Sequence, residues 1–236
     1  MRPIYIHDES VHNLSAPREI VPLIMGLVRP ESVLDVGCGT GVWLKAFEEV
    51  GVNDYLGVDG DFVDRKLLKI PHKTFSAYDL TKELTLNRKY DLVISLEVAE
   101  HLPKQAADVF VKTLVQHGDV ILFSAAIPGQ GGQNHLNEQW PDYWMEKFFS
   151  HGFYFHDMIR PLIWNNDKVD YWYKQNIFLV SKNPSETKIE RYVHPDLFKL
   201  RLEELEKIIQ SIKNGGLGPR KNFDILLNSI IRKVKK

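Results

Sequence analysis

Glu97-Val98-Ala99-Glu100-His101-Leu102-Pro103 carries two carboxylates and an imidazole at i, i+3 and i+4. On a helical turn those spacings converge on one face. Three such groups packed together in a crevice are costly unless a cation gathers them. The stretch therefore points to divalent-metal chemistry, with two alternatives for His101: a general base, or a cap on the helix that follows. A second constellation lies upstream, in Val33-Leu34-Asp35-Val36-Gly37-Cys38-Gly39-Thr40-Gly41. An apolar run stops abruptly at three alternating glycines. Glycine lets the chain turn sharply and lets a ligand come close, and the helix after it adds free N–H groups. A strand, glycine turn and helix in this order read as a nucleotide-type cofactor site; the alternative is a glycine-rich turn with no ligand. The dinucleotide pattern G-x-G-x-x-G fails because position 42 is Val, and no Lys-Ser/Thr follows Gly41 as a phosphate loop requires.

These residues need a scaffold, and the chain spells one out. Residues 33–36 read as a buried strand and 43–50 as a helix with Trp43, Leu44 and Phe47 on one face. Tyr55 to Gly60 reads as a second strand ending on Asp59, 18 residues past Gly41. An acid there can take both hydroxyls of a ribose; the alternative is an N-cap for a helix over 61–68. Further strands are expected over 73–77, 91–96, 119–124, 153–160 and 171–181, and helices over 16–28, 103–117 and 139–151. Ser15 is the expected N-cap of the first helix. The alternation predicts a parallel, doubly wound sheet. Its ligand lies outside the C-terminal ends of the first and fourth strands, so Leu96 and the acids after it face the reacting group.

The glycine stretch resembles the first motif of class I S-adenosylmethionine-dependent methyltransferases. The resemblance covers residues 12–182 and implies an α/β fold: a Rossmann-like, doubly wound, seven-stranded sheet with an antiparallel last strand. It implies that Asp35, Gly37, Cys38, Gly39, Gly41, Asp59, Gly60 and Leu96 surround S-adenosylmethionine. It also implies that Asp79 bonds the adenine amine while Leu80 packs on the ring. The leading helix would lid the cofactor, with His12, Asn13 and Arg18 in reach. E-x-x-E-H is similar to the metal-binding motif of small-RNA terminal 2′-O-methyltransferases and of ubiquinone-pathway O-methyltransferases. In the RNA enzymes a second histidine after the fifth strand completes the shell, and His135 matches it. Glu97, Glu100, His101 and His135 would then hold Mg²⁺ or Mn²⁺, the histidines favouring Mn²⁺, with His101, His135 and Glu97 as the catalytic set. The loop A-A-I-P-G-Q-G-G-x-N-H-x-N-E-Q-W resembles methyltransferase domains associated with polysaccharide assembly, which implies a sugar or glycan hydroxyl as acceptor. Gln130, Asn134, Asn137 and Glu138 are candidate substrate contacts or turn residues. Trp164, Trp172 and Tyr173 are candidate stacking surfaces. The alternative functions are an RNA 2′-O-methyltransferase and an inactive S-adenosylmethionine-binding partner subunit.

Composition narrows the classes. The chain has 236 residues, is 44% hydrophobic and carries a formal net charge of −1, so nothing global favours nucleic acid as partner. Its one cysteine, Cys38, excludes a disulfide framework and a cysteine zinc site. There is no signal-type apolar segment and no run of about 18 apolar residues; a cytoplasmic location is expected. The methyltransferase domain is expected over 1–183 and a helical extension over 184–236, with helices at 196–213 and 222–235. From residue 214 onward Arg220, Lys221, Arg232, Lys233, Lys235 and Lys236 face only Asp224, a net of +5. That extension is expected to contact a dimer mate or an enzyme partner; the alternatives are a weak membrane-surface anchor and a solvated basic tail.

Overall fold

The computed structural model describes residues 5–8, 12–186, 188–216 and 218–234, with side chains to residue 228; Ile230, Ile231 and Val234 of the expected apolar face, and Arg232, Lys233, Lys235 and Lys236, fall outside those described. The chain forms two units, 1–192 and 193–236.

The first unit is built on β1 (Ser32–Val36), β2 (Asp54–Asp59), β3 (Phe75–Ala77), β4 (Leu92–Leu96), β5 (Val120–Ser124), β6 (Tyr154–His156) and β7 (Phe178–Ser181). Their order is β3-β2-β1-β4-β5-β7-β6. The pairs among β1 to β5 are parallel, and β7 runs antiparallel to both β5 and β6. All five residues of β1 are buried, because helices cover both faces. Val33 joins one core with residues of α1 (Ser15–Leu27) and α2 (Val42–Glu49), including Ile20, Ile24, Leu44 and Phe47. Leu34 and Val36 join the other, with Phe110 and Leu114 of α3 (Ala107–His117) and Trp144 and Phe148 of α4 (Pro141–Phe149). The expected doubly wound sheet with an antiparallel last strand is the observed one.

Several local expectations are corrected. Over 61–68 there is a 3-10 turn, Arg65–Leu67, capped by Asp64, in place of the expected helix. Ser15 does not cap α1; its hydroxyl donates to the Lys168 carbonyl at 2.8 Å. Residues 153–160 give only the short β6 before α5 (Arg160–Ile163), whose Arg160 is buried against Asp157. Tyr171–Asn176 is helix α6, not the start of a strand. Its aromatic residues have strand propensity, yet the backbone N–H groups of Tyr173 and Lys174 turn back to the Asp170 carbonyl. Tyr173 packs edge-on against Trp43, with ring centroids 5.2 Å apart, so that face is spent inside the protein.

The second unit holds α7 (Pro195–Lys213) and α8 (Pro219–Val234). Phe198, Leu205, Ile208 and Phe223 are exposed there. Residues 184–192 belong to the first unit, where Arg191 pairs with Asp142 and the Glu190 carbonyl accepts from Arg160. Among the described residues no helix is long and apolar enough to cross a membrane.

Candidate active site

The glycine turn follows β1 directly. Gly37, Gly39 and Gly41 all have left-handed φ values, 94°, 50° and 80°. A side chain at Gly37 would meet Val98 at 2.3 Å, so that position is closed to anything larger. The Gly37 N–H donates to the Val58 carbonyl and the Gly41 N–H to the Cys38 carbonyl, which ties the turn to β2 and tightens it. Cys38 is buried, and its sulfur fills the space over Gly57, where a Cβ would sit 2.8 Å away.

Asp59 closes the turn from the end of β2. One carboxylate oxygen accepts from the Gly39 N–H at 2.7 Å, the other from the Gly60 N–H at 2.6 Å. Burial outweighs these two donors and pushes its pKa up to about 6. Asp35, wholly buried next to it, is held far above the carboxylate range by burial and by the Asp59 charge. Burial thus disfavours charge on Asp35 more than on Asp59, which has two backbone donors. Asp79, half exposed, accepts from the Thr81 N–H and hydroxyl and pairs with Lys82, while Leu80 is buried.

After β4 the expected helical turn does not form. Glu97 has φ of 55°, and only Ala99–His101 makes a 3-10 turn. This backbone turns Glu97 toward Gln130 and Asn176 while its carboxyl stays beside that of Glu100. Glu97 accepts from Gln130 Nε2 at 2.7 Å and from Asn176 Nδ2 at 3.1 Å. Gln130 Oε1 in turn accepts from Gln175 at 2.9 Å and Asn176 at 2.8 Å. Burial raises the Glu97 pKa, and the amide donors and Ser124 pull against that shift.

Glu100 is fully buried; its carboxyl lies near the Ala126 N–H and the Glu97 carboxyl, and neither oxygen makes a hydrogen bond of full geometry. Its backbone carbonyl accepts from the N–H groups of Leu136 and Asn137, which pins the glycine-rich loop over it. The loop delivers His135 against His101, ring centroids 4.8 Å apart. Glu138 orients His135 through Nδ1 at 2.8 Å and takes the N–H groups of Gly129 and Gly131. Ligand atoms of Glu100, His101 and His135 all lie within 4.8 Å of one another; Glu97 is not in that group. Burial, then His135, lowers the His101 pKa to about 4, so the ring is neutral. Burial, then the Glu97 charge, raises Glu100 well above its ordinary value. A buried carboxyl and two imidazoles with ligand atoms this close are residue types that a divalent transition metal takes.

A family model for a methyltransferase domain matches residues 10–160. The chain belongs to the methyltransferase-domain family. Its sheet is that of the class I, S-adenosylmethionine-dependent members. Over 99 residues the chain is 34% identical to the ribosomal protein L11 methyltransferase of Lacticaseibacillus paracasei, covering 39% of this chain and 30% of that protein. The match thus spans under a third of that curated relative's length. In fold the chain is similar to DesVI of Streptomyces venezuelae, with a TM-score of 0.55 at 15% identity, covering 76% of this chain and all of that one. It is also similar to S-adenosylmethionine-bound CalS10 of Micromonospora echinaspora, an amino pentose methyltransferase, with a TM-score of 0.55 at 13% identity, covering 78% of this chain and all of that one.

Within this methyltransferase domain the turn residues and Asp59 come together as one cluster, and Glu100, His101 and His135 as another. Arg18 does not reach either; it is exposed and bonded to Glu49 through two contacts of 2.8 Å. Gln130, Asn137 and Glu138 organise the loop from within. The sequence reading missed Gln175, Asn176 and Tyr5. A signal existed for the first two: a pair of amides set directly before the apolar run of β7. Tyr5 lies edge-on to His101, ring centroids 5.1 Å apart, with its hydroxyl 3.1 Å from His12 Nε2.

Proposed function

We propose that this domain moves the methyl group of S-adenosylmethionine to a hydroxyl of a sugar or glycan, with a divalent metal ion held by Glu100, His101 and His135. One observation carries the metal: the Glu100 carboxyl is fully buried, makes no hydrogen bond of full geometry, and has a ligand atom within 4.8 Å of those of two imidazoles. Such a group stays ionised only beside a cation. The metal, when bound, supplies Lewis acidity that makes a poor hydroxyl nucleophile more acidic.

The chain's own residues do the rest. Asp59 receives the ribose hydroxyls, with its carboxylate fixed by Gly39 and Gly60. Asp79 and Leu80 take the adenine. Leu96, at the end of β4, faces the sulfonium. Glu138 fixes the His135 ring, and Gln130 with Asn176 fixes Glu97. Glu97, beside Glu100, accepts a hydrogen bond from the acceptor and helps set its oxygen in line with the methyl. The methyl passes to that oxygen, the hydroxyl proton leaves to solvent, and S-adenosylhomocysteine remains.

The sugar acceptor rests on the loop resemblance and on the likeness to CalS10, whose name makes it an amino pentose methyltransferase. We place the domain in the cytoplasm and assign 193–236 to contact with a second copy or an enzyme partner. The test is transfer of labelled methyl to panels of nucleotide sugars, glycans and RNAs. The expected result is label in a sugar-containing acceptor, lost with chelator and restored by Mn²⁺. Transfer that ignores chelation would remove the metal, and label confined to RNA would remove the sugar.

A further inference from the structure

Residues 5–8 lie across both halves of the site. The Tyr5 ring stands edge-on to His101, and its hydroxyl meets His12. His7 stacks on Phe62 at an interplanar angle of 14°. It also lies over the glycine turn, where a Cβ on Gly39 would be 3.2 Å from the His7 ring. Between these two rings Ile6 is 68% exposed, so apolar burial does not hold the segment down at that point. There the backbone is held by a side chain of the glycine-rich loop. The Ile6 N–H donates to Gln133 Oε1 at 2.7 Å, and Gln133 Nε2 donates to the Ile6 carbonyl at 3.2 Å. One planar amide meets both backbone groups of one residue, as a partner strand would, and the Ile6 carbonyl also takes the Asp8 N–H at 3.1 Å. Gln133 stands two positions before His135, in the loop pinned over Glu100.

We propose that Gln133 is a positioning residue whose amide clasps residues 5–8 over the cofactor turn and the His101–His135 pair, and that cofactor exchange requires the clasp to open. The inference rests on the S-adenosylmethionine reading above. Closed, the clasp puts His7 over the turn that holds the ribose acid and Tyr5 beside the metal-ligand imidazoles. Water is then kept from the methyl, and product leaves only after the segment lifts.

The probe is S-adenosylhomocysteine, its release measured by stopped-flow displacement from the full chain. Gln133 is exposed, so its variants keep the fold. Gln133→Ala removes both hydrogen bonds and should speed release about tenfold, the effect of one to two weak hydrogen bonds. Gln133→Glu still accepts from the Ile6 N–H but cannot donate to its carbonyl, and should fall between. Hydrogen exchange at the Ile6 amide should quicken in the same order. Wild type and both variants releasing the ligand at one rate would overturn the clasp alone. A wild-type protein that does not bind S-adenosylhomocysteine would overturn the cofactor reading and the clasp with it.

Discussion

The cofactor affinity should carry the titration of Asp59. Ribose hydroxyls are donors, so they bind the ionised carboxylate. With a pKa of about 6, Asp59 is roughly nine-tenths ionised at pH 7 and one-tenth at pH 5. Affinity for S-adenosylhomocysteine should therefore be nearly flat above pH 7 and fall about tenfold from pH 7 to pH 5. The effect on folding has the opposite sign. A folded pKa raised above the unfolded value near 3.8 means the folded state binds the proton more tightly. Ionisation then costs stability as pH rises through that window, by about 3 kcal/mol from the shift. Ligand binding draws on this poised charge. Asp59→Asn separates the effects. Both oxygens accept backbone N–H groups, at 2.7 and 2.6 Å. An amide can accept only one of them, and its NH₂ faces the other. That mismatch should cost about 1–3 kcal/mol of binding at pH 7 and flatten the pH profile. Calorimetric titration at pH 5, 6, 7 and 8 reads both. A wild-type affinity that stays level from pH 8 to 5, or an Asn variant that tracks the wild type, would refute the assignment.

Two other perturbations have expected outcomes. A Cβ on Gly132 would lie 2.3 Å from His135 Nε2, so Gly132→Ala should turn that ring and weaken Mn²⁺ binding at least tenfold by paramagnetic resonance, about 1.4 kcal/mol or more; equal Mn²⁺ binding would contradict the three-residue site. Arg160 is buried, bonds Asp157 at 2.5 and 2.8 Å and donates to the carbonyls of Gln175 and Glu190. Arg160→Met leaves those acceptors bare and should cost about 3–5 kcal/mol in urea unfolding, and a loss under about 1 kcal/mol would show that water replaces the guanidinium.

The sheet was legible because its physics is written locally. A parallel strand buried on both faces must be a continuous apolar run, as Val33 to Val36 is, and the turn after it must be glycine. Asp59 was legible for the same reason: its place at a strand end is a matter of counting. The rest depended on contacts distant in sequence. Nothing in Glu97 announces a left-handed backbone: helical spacing grouped it with Glu100, which it does stand beside, and gave no sign of its bonds to Gln130 and Asn176. Those amides come from separate segments. Tyr171–Asn176 read as strand by its aromatics, and only packing against Trp43 and the Asp170 carbonyl makes it helix. Tyr5 reaches His101 through one backbone clasp, which leaves no periodic trace.

The left-handed conformation of Glu97 bears on how this domain can change. A non-glycine residue there stores roughly 1 kcal/mol or more of strain. Glycine or asparagine would relax it, so any process that scores sequences by stability alone drifts toward discarding this acid. Drift in that direction is one-way for activity: the substitution that hardens the fold empties the grip of Gln130 and Asn176. If Glu97 orients the acceptor as proposed, a stabilised descendant keeps its sheet and turn while losing the reaction, and position 97 is where active and silent members of such a lineage are told apart.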